Sequence, residues 1–371
     1  MVDTTKGLRF SLTELSGSLG DFGTIIPLIL GVAVVNRLPL APMLLFIGLW
    51  FIIAGVYYGR PVPIEPMKAI AVIAIASGLS ADAIAAAGIL IGLIFLLLGF
   101  GTWMNALEKW IPFSVVRGVQ LGLALLLLRT TTTFAVADLV FFGMGVSVVV
   151  LFFLLGRCTR IPDLSAIVIV LLAVGAGIIL HGIPSFLLIT PLHLILPPLS
   201  AFPAAFTDLV IPQEFITLTN AILATVLLLK DQFGEEVPAR KLSRMIGAMN
   251  LISVPLGGFP MCHGAGGLAG QYRFGARTGG ADVYAGIILI LAAVFFGSNE
   301  ILGIIPEGFF GALLLFAALE LARHGIRTDQ YLITGLIAVL ALLLGMTWGF
   351  LVGIALYYLR AHFSKRLGSC H

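Results

Sequence analysis

The sequence predicts an all-α membrane protein with fourteen transmembrane segments, arranged as two inverted repeats of seven. Three observations carry this prediction: an apolar composition, apolar runs of membrane length, and a one-sided placement of basic residues. Of the 371 residues, 60% are hydrophobic and 11% charged, and the mean hydropathy is +1.12. A soluble domain is nearer half apolar and a quarter charged. A globule of this size cannot hide so much apolar surface from water, so hydrocarbon must be part of the solvent. A net charge of +3 supplies no basic field for nucleic acid. Cys158, Cys262 and Cys370 lie far apart without CxxC spacing, so neither a disulfide framework nor a thiolate metal site is expected.

A span needs roughly 20 apolar residues to cross about 30 Å of hydrocarbon. Full or partial spans are predicted over 14–36, 39–59, 63–78, 81–104, 112–129, 138–156 and 162–181. A second set follows over 213–230, 240–256, 263–276, 280–298, 303–322, 328–344 and 346–363. Between them, 182–212 is rich in proline, free of Lys and Arg, and reads as an extracytoplasmic connecting loop. With the N-terminus inside, seventeen of the 21 Lys and Arg residues fall in inner loops. Arg37 and Arg129 fall in outer connections, and Lys68 and Arg117 lie within spans. Such a bias orients a membrane protein, and a miscount of one span would scramble it. An odd number of spans before the loop makes the halves 1–181 and 213–371 enter the membrane in opposite senses, as in many secondary transporters. The polar start, Met1 to Phe10, carries no cleavable signal. It suits a bacterial inner membrane with both termini cytoplasmic.

The third segment of each half is abnormal. Pro61-Val62-Pro63-Ile64-Glu65-Pro66 precedes an apolar stretch from Met67 to Ala76. Residues before proline are driven to extended backbone, so the Pro-x-Pro run is not helix. Pro66 suits a first helical position, and Pro66 to Ala76 makes only about 16 Å of helix. In the second half, Gly257-Gly258-Phe259-Pro260-Met261-Cys262 precedes a glycine-rich helix from His263, also short. Non-helical backbone at membrane depth survives only when buried in protein or lining a polar cavity. Two half-helices in matching positions would aim their N-termini, each with free N–H groups and about half a positive charge, at one midplane site. An anion belongs there. Glycines that merely permit close helix packing are the alternative.

Three stretches carry a family resemblance. Gly17-Ser18-Leu19-Gly20-Asp21-Phe22-Gly23-Thr24, Pro61 to Ile70, and Pro260 to Ala269 with Tyr272-Arg273-Phe274-Gly275-Ala276-Arg277 closely resemble the motifs of the molybdate transporter family. Its members are relatives of the sulfate permeases that lack the cytoplasmic regulatory domain. The resemblance covers nearly the whole chain. It implies a fold of core and gate domains, the core from spans 1–4 and 8–11 and the gate from spans 5–7 and 12–14. It also implies short strands before half-helices 3 and 10, and substrate between those helices and spans 1 and 8. Relatives often dimerise through the gate. The family usually has Gln where this chain has Glu65, and an added carboxylate bears on both substrate charge and coupling.

The expected substrate-binding set is therefore Asp21, Thr24, Glu65, Pro66, Met67, Lys68, Thr219, Asn220, Cys262, His263, Gly264, Ala265 and Gly266. Micromolar binding requires about −8.2 kcal/mol. Two helix ends supply about 1–2 kcal/mol each, and charge-assisted hydrogen bonds about 1.5–3 apiece. Three or four further donors suffice: the amides of Met67, Lys68, Gly264 and Ala265, and the side chains of Thr24, Thr219 and Asn220. A lysine at mid-membrane costs at least about 2.5–3.5 kcal/mol, so Lys68 either attracts the dianion or pairs with Glu65 or Asp21. Asp21 caps or pairs structurally, or carries a coupling proton. Glu65 caps the half-helix or carries one. Adjacent Cys262 and His263 do not present both side chains to one centre, so no metal, cofactor or catalysis is expected. No G-x-x-x-x-G-K-[ST] occurs, so the chain does not hydrolyse nucleotide itself. The expected cargo is molybdate, with tungstate, sulfate or an anion channel as rivals and a proton or cation as the coupling ion.

Overall fold

The computed structural model describes residues 8–101, 112–158, 164–183, 192, 194–297 and 299–368. A helix stands at the place of every expected span. In chain order these are α1 (Leu12–Val35), α2 (Leu40–Tyr58), α3 (Lys68–Ser77), α4 (Ala81–Phe100), α5 (Phe113–Ala137), α6 (Leu139–Cys158) and α7 (Ser165–His181). Then come α8 (Ala201–Phe233), α9 (Ala239–Ser253), α10 (Ala265–Arg273), α11 (Gly280–Phe296), α12 (Glu307–Gly325), α13 (Tyr331–Leu344) and α14 (Met346–Gly368). Among the described residues, seven helices are long and apolar enough to cross a membrane: α1, α2, α4, α5, α6, α8 and α12. Cys370 and Lys109, and part of the expected loop after α7, lie outside the described residues.

Local chemistry sets the helix ends. Ser11 and Ser80 cap α1 and α4 through the amides of Glu14 and Ala83, each at 3.3 Å. Pro39, Pro112, Pro238 and Pro306 stand at the caps that open α2, α5, α9 and α12. Their fixed φ leads extended chain into helix.

Two helices differ from expectation. α8 begins at Ala201, inside the stretch read as a connecting loop. Pro203 sits in its first turn, where its missing N–H costs nothing. Pro212 is absorbed because π-helical stretches flank it, over Phe206–Val210 and Thr217–Ala224, and shift the hydrogen-bond ladder. α5 runs on to Ala137, so Arg129 lies in its last turns and not in a loop. There Thr130 and Thr132 bond back to the carbonyls of Leu126 and Arg129.

The expected extended stretches are strands. β1 (Ile64–Pro66) leads into α3 and β2 (Met261–His263) into α10. They pair antiparallel, with Glu65 opposite Cys262, in the one sheet among the described residues. All six residues are buried. Their flanks are pinned from elsewhere in the chain. Asn250 of α9 donates to the Met261 carbonyl at 2.7 Å and accepts from the Met261 amide at 2.9 Å. Asp282 of α11 accepts from the Val62 amide at 2.6 Å and from the Gln271 side chain of α10 at 3.0 Å.

Removing the Asn250 amide leaves both polar groups of Met261 buried and unpaired, at a cost of about 1–3 kcal/mol for each unsatisfied group. Asn250→Leu is therefore expected to lower the melting temperature of the purified protein in detergent. Unchanged melting would show that β2 does not depend on this side chain.

Candidate functional site

The two short helices start where the strand pair ends. α3 has ten residues and α10 nine, or about 15 Å and 13 Å of helix. Such ends leave orphan N–H groups, and at membrane depth each needs a partner. The Met67 amide donates to the Pro260 carbonyl at 2.9 Å. The amides of Ala69 and Ile70 donate to Oε1 of Gln213, at 2.8 and 3.4 Å. Gln213 comes from α8 and is itself held by Thr217 at 2.9 Å. Asn36 closes the other end of α3, donating to the carbonyls of Ala74 and Leu79.

At α10 the cap is a carboxylate from the opposite strand. Glu65 Oε1 accepts from the Gly267 amide at 3.1 Å, and Oε2 meets Lys68 Nζ at 2.6 Å. Glu65 is 1% exposed and the Lys68 side chain 16%. Lys68 thus has an ion-pair partner in Glu65. Asp21 is also buried, and no hydrogen bond reaches either of its carboxylate oxygens from a donor in the described structure. It lies beside Glu65, within electrostatic reach of Lys68 and Asp282. Its carboxyl packs directly on Gly267, and Glu65 packs on Gly264; a Cβ at either glycine would collide with the carboxylate.

In front of this cluster lies a cavity of about 230 Å³, on a measure by which one water needs ~10–15 Å³. Asp21 and Thr24 of α1, Lys68 of α3, Asn220 of α8 and Gly266 of α10 line one side. Gln120 of α5 and Phe316, Glu320, Arg323 and His324 of α12 line the other. Arg323 and His324 both contact Glu320, at 3.2 and 3.4 Å.

Five of the expected site residues thus meet at the cavity: Asp21, Thr24, Lys68, Asn220 and Gly266. Glu65, Pro66, Met67, Gly264 and Ala265 form the layer behind it. Thr219 donates to the Phe215 carbonyl of its own helix at 2.7 Å. Cys262 is buried in β2, and fully buried His263 sits 3.3 Å from the Pro63 carbonyl and edge-on to Tyr58. Sequence reasoning missed Gln213, which reaches α3 from well over a hundred residues away. Its only local signal was a polar residue after Pro212 in an apolar run. Gln120, Glu320 and Arg323 also stand on the cavity wall, a place set by how α5 and α12 pack.

Comparison with known proteins now decides the family. A family model described as molybdate transporter of the MFS superfamily matches residues 13–127 and 205–321. The chain belongs to the molybdate transporter family. Molybdate transporter 2 of Arabidopsis thaliana is 33% identical over 94% of this chain and 87% of its own length. Molybdate transporter 1 of the same plant is 35% identical over 86% and 81%. In fold the chain resembles the murine Slc26a9 anion transporter, with a TM-score of 0.74 at 15% identity over 97% of this chain and 70% of that one. The fold of this family member is therefore SLC26-like, and the protein is a multi-pass integral membrane protein and a molybdate or anion transporter.

The cluster yields a paired prediction. Gly267→Ala drives a methyl group into the Asp21 carboxyl, whereas a Cβ at Gly266 meets nothing within 4 Å. Melting temperature in detergent is expected to drop for Gly267→Ala and to hold for Gly266→Ala. Equal behaviour of the two variants would contradict the packing of Asp21 on α10.

Proposed function

We propose that this chain is a secondary transporter of molybdate, carrying the oxyanion through the cavity between α1, α3, α8 and α10 on one side and α5 and α12 on the other. One observation carries the reading: a polar cavity of about 230 Å³ with Lys68 on its wall, set before the amino ends of two short helices. The helices' positive ends and the Lys68 ammonium favour an anion there. The donors are the Lys68 ammonium, the Thr24 hydroxyl, the Asn220 amide and the exposed backbone at Gly266. Gln213 and Glu65 act behind them as positioning residues, since each occupies amides at a helix start.

The fourteen helices form inverted repeats, α1–α7 and α8–α14, the second opening at Ala201 and not at 213. A core of spans 1–4 and 8–11 rocks against a gate of spans 5–7 and 12–14, with both termini on the cytoplasmic side of a bacterial inner membrane. The basic bias of the inner loops supports the orientation, and the position of the cavity between helices of the two groups supports the rocking. The resemblance behind the core and gate assignment also gives a homodimer through the gate.

The charge of the cluster favours a coupled cation, and we take the proton as that ion. With both carboxyls ionised, Asp21, Glu65 and Lys68 sum to one negative charge beside an arriving dianion. Across a low-dielectric site that repulsion is costly. A proton taken by Asp21 brings the trio to neutral, while Glu320 on the facing wall is paired with Arg323 and His324. The proton is therefore the co-substrate, and acid on the loading side favours loading. The other groups near the two carboxyls are the Gly267 amide, Cys262 and Asp282, and the charged or titratable groups on the same cavity are Arg273, Glu320, Arg323 and His324.

In proteoliposomes, labelled molybdate uptake is expected to saturate, to show counterflow, and to quicken as the loading side is acidified. Steady current without counterflow would make the protein a channel. Loss of uptake to excess sulfate, with no tighter binding of molybdate or tungstate, would reassign the cargo. Lys68→Met should weaken molybdate binding by about tenfold or more, the loss of one charge-assisted contact; unchanged affinity would leave Lys68 a structural partner of Glu65. In Asp21→Asn the acid stimulation should shrink, and an unaltered pH profile would remove Asp21 from proton transfer.

A further inference from the structure

α5 contributes Gln120 to the cavity wall, and this side chain is only 6% exposed. Its carboxamide has an acceptor end and a donor end. The acceptor end is taken: Arg117, one turn earlier, donates from Nη1 to Oε1 at 2.9 Å. A guanidinium can only donate, so this bond fixes which way the amide lies. The guanidinium is held in turn over the Phe113 ring, 4.4 Å from its centre.

The donor end has no protein partner. Among the described residues nothing accepts from Nε2 of Gln120, yet that nitrogen is not sealed among protein atoms as Nε of Arg117 is. Its hydrogens therefore open on the cavity. Neither carboxylate on the cavity takes them. Glu320 meets Arg323 and His324, and both Asp21 oxygens lack a donor. Close helix packing keeps the amide in place, because a Cβ at Gly118 or Gly122 would meet Ile337 or Ala341 of α13 at 2.8 Å. α5 is thus seated against α13 on both sides of Gln120 in sequence and has little room to turn.

We infer that Gln120 is a further substrate-binding residue, donating an N–H to an oxygen of a tetrahedral oxyanion that Lys68, Thr24 and Asn220 hold from the opposite wall. The inference deepens the transporter reading and rests on it. An oxyanion brings acceptors only, which is what a donor pinned by Arg117 requires. Gln120 and the other donors stand on different walls, so one anion bonds to both only while the walls are close. Binding at Gln120 then favours the closed arrangement, to the extent that its bond is lost when the walls part.

The test titrates molybdate into the purified full-length protein in detergent and reads binding by calorimetry. Gln120→Met, which keeps the length of the side chain and removes the donor, should weaken binding by about tenfold or more. A second readout is the side-chain amide signal of Gln120 in the magnetic resonance spectrum of wild-type protein labelled with heavy nitrogen. That signal is assigned by its loss in Gln120→Glu, which keeps the shape and the acceptor for Arg117, and molybdate is expected to shift it. Affinity of Gln120→Met within about twofold of wild type would overturn the inference. So would an amide signal that molybdate leaves in place, since Gln120 would then only support Arg117. In both cases wild-type binding and its dependence on Lys68 persist, and the transporter reading stands. A wild-type protein that binds no molybdate overturns that reading and this inference together. Where the methionine variant fails to fold, the wild-type amide signal decides.

Discussion

The structure depends on satisfying backbone polar groups where two helices start inside the membrane. Outside water, an unpaired amide costs several kcal/mol, and two short helices starting side by side expose several. The strand pair is the solution. β1 and β2 consume each other's groups through the Glu65–Cys262 register, and the Met67 amide extends the ladder to the Pro260 carbonyl. Gln213 then takes two amides of α3, and Glu65 takes one of α10. Each short helix is thus capped by a side chain from outside itself, so neither can shift without breaking the other's surroundings. Asn250 and Asp282 anchor the same unit to α9 and α11.

Much of this was legible in the sequence because the interruption has a local cause. Pro61, Pro63 and Pro66, spaced so closely, keep the stretch before α3 extended, and the glycines after Pro260 weaken helix, so the two breaks appear without knowledge of any contact. Apolar runs mark the helices for the same reason. What stayed hidden is what depends on distant partners. Gln213 is an ordinary polar residue until α8 lies across α3, and Arg323 is an ordinary helix-end cation until α12 faces α10. The early start of α8 was hidden in another way, because Pro203 and Pro212 look like loop residues unless the π-helical ladder around them is known.

The capping changes the account of anion binding that the sequence invites. Of the helix-start amides expected as donors, that of Met67 is spent on the Pro260 carbonyl, and the neighbouring amides of Ala69, Ile70 and Gly267 are also occupied. In the proposed reading the helix ends act on an anion through their field, and side chains on the cavity wall join the Gly266 backbone as direct donors. This explains why Lys68 is placed as it is. Its ammonium meets Glu65 yet keeps 16% of its side chain exposed, enough to face the cavity while staying neutralised from behind.

α1 is where these demands meet. A 3-10 turn over Leu19–Asp21 tightens the helix beside α10, and such turns inside longer helices mark places under local constraint. The turn sets Asp21 against Gly267, with both carboxylate oxygens free of a donor, while the next residue, Phe22, is turned to an apolar groove that Leu44 of α2 and Ile167 of α7 also line. A helix with a carboxyl on one face and packed apolar side chains on the other resists rotation about its own axis, because turning would drive the carboxyl among apolar side chains and bring the phenyl ring to the polar cavity. Movement of α1 is then restricted to translation or tilt together with α10, on which Asp21 rests. That restriction couples the state of the carboxyl cluster to the position of the whole wall, and it follows from solvation alone.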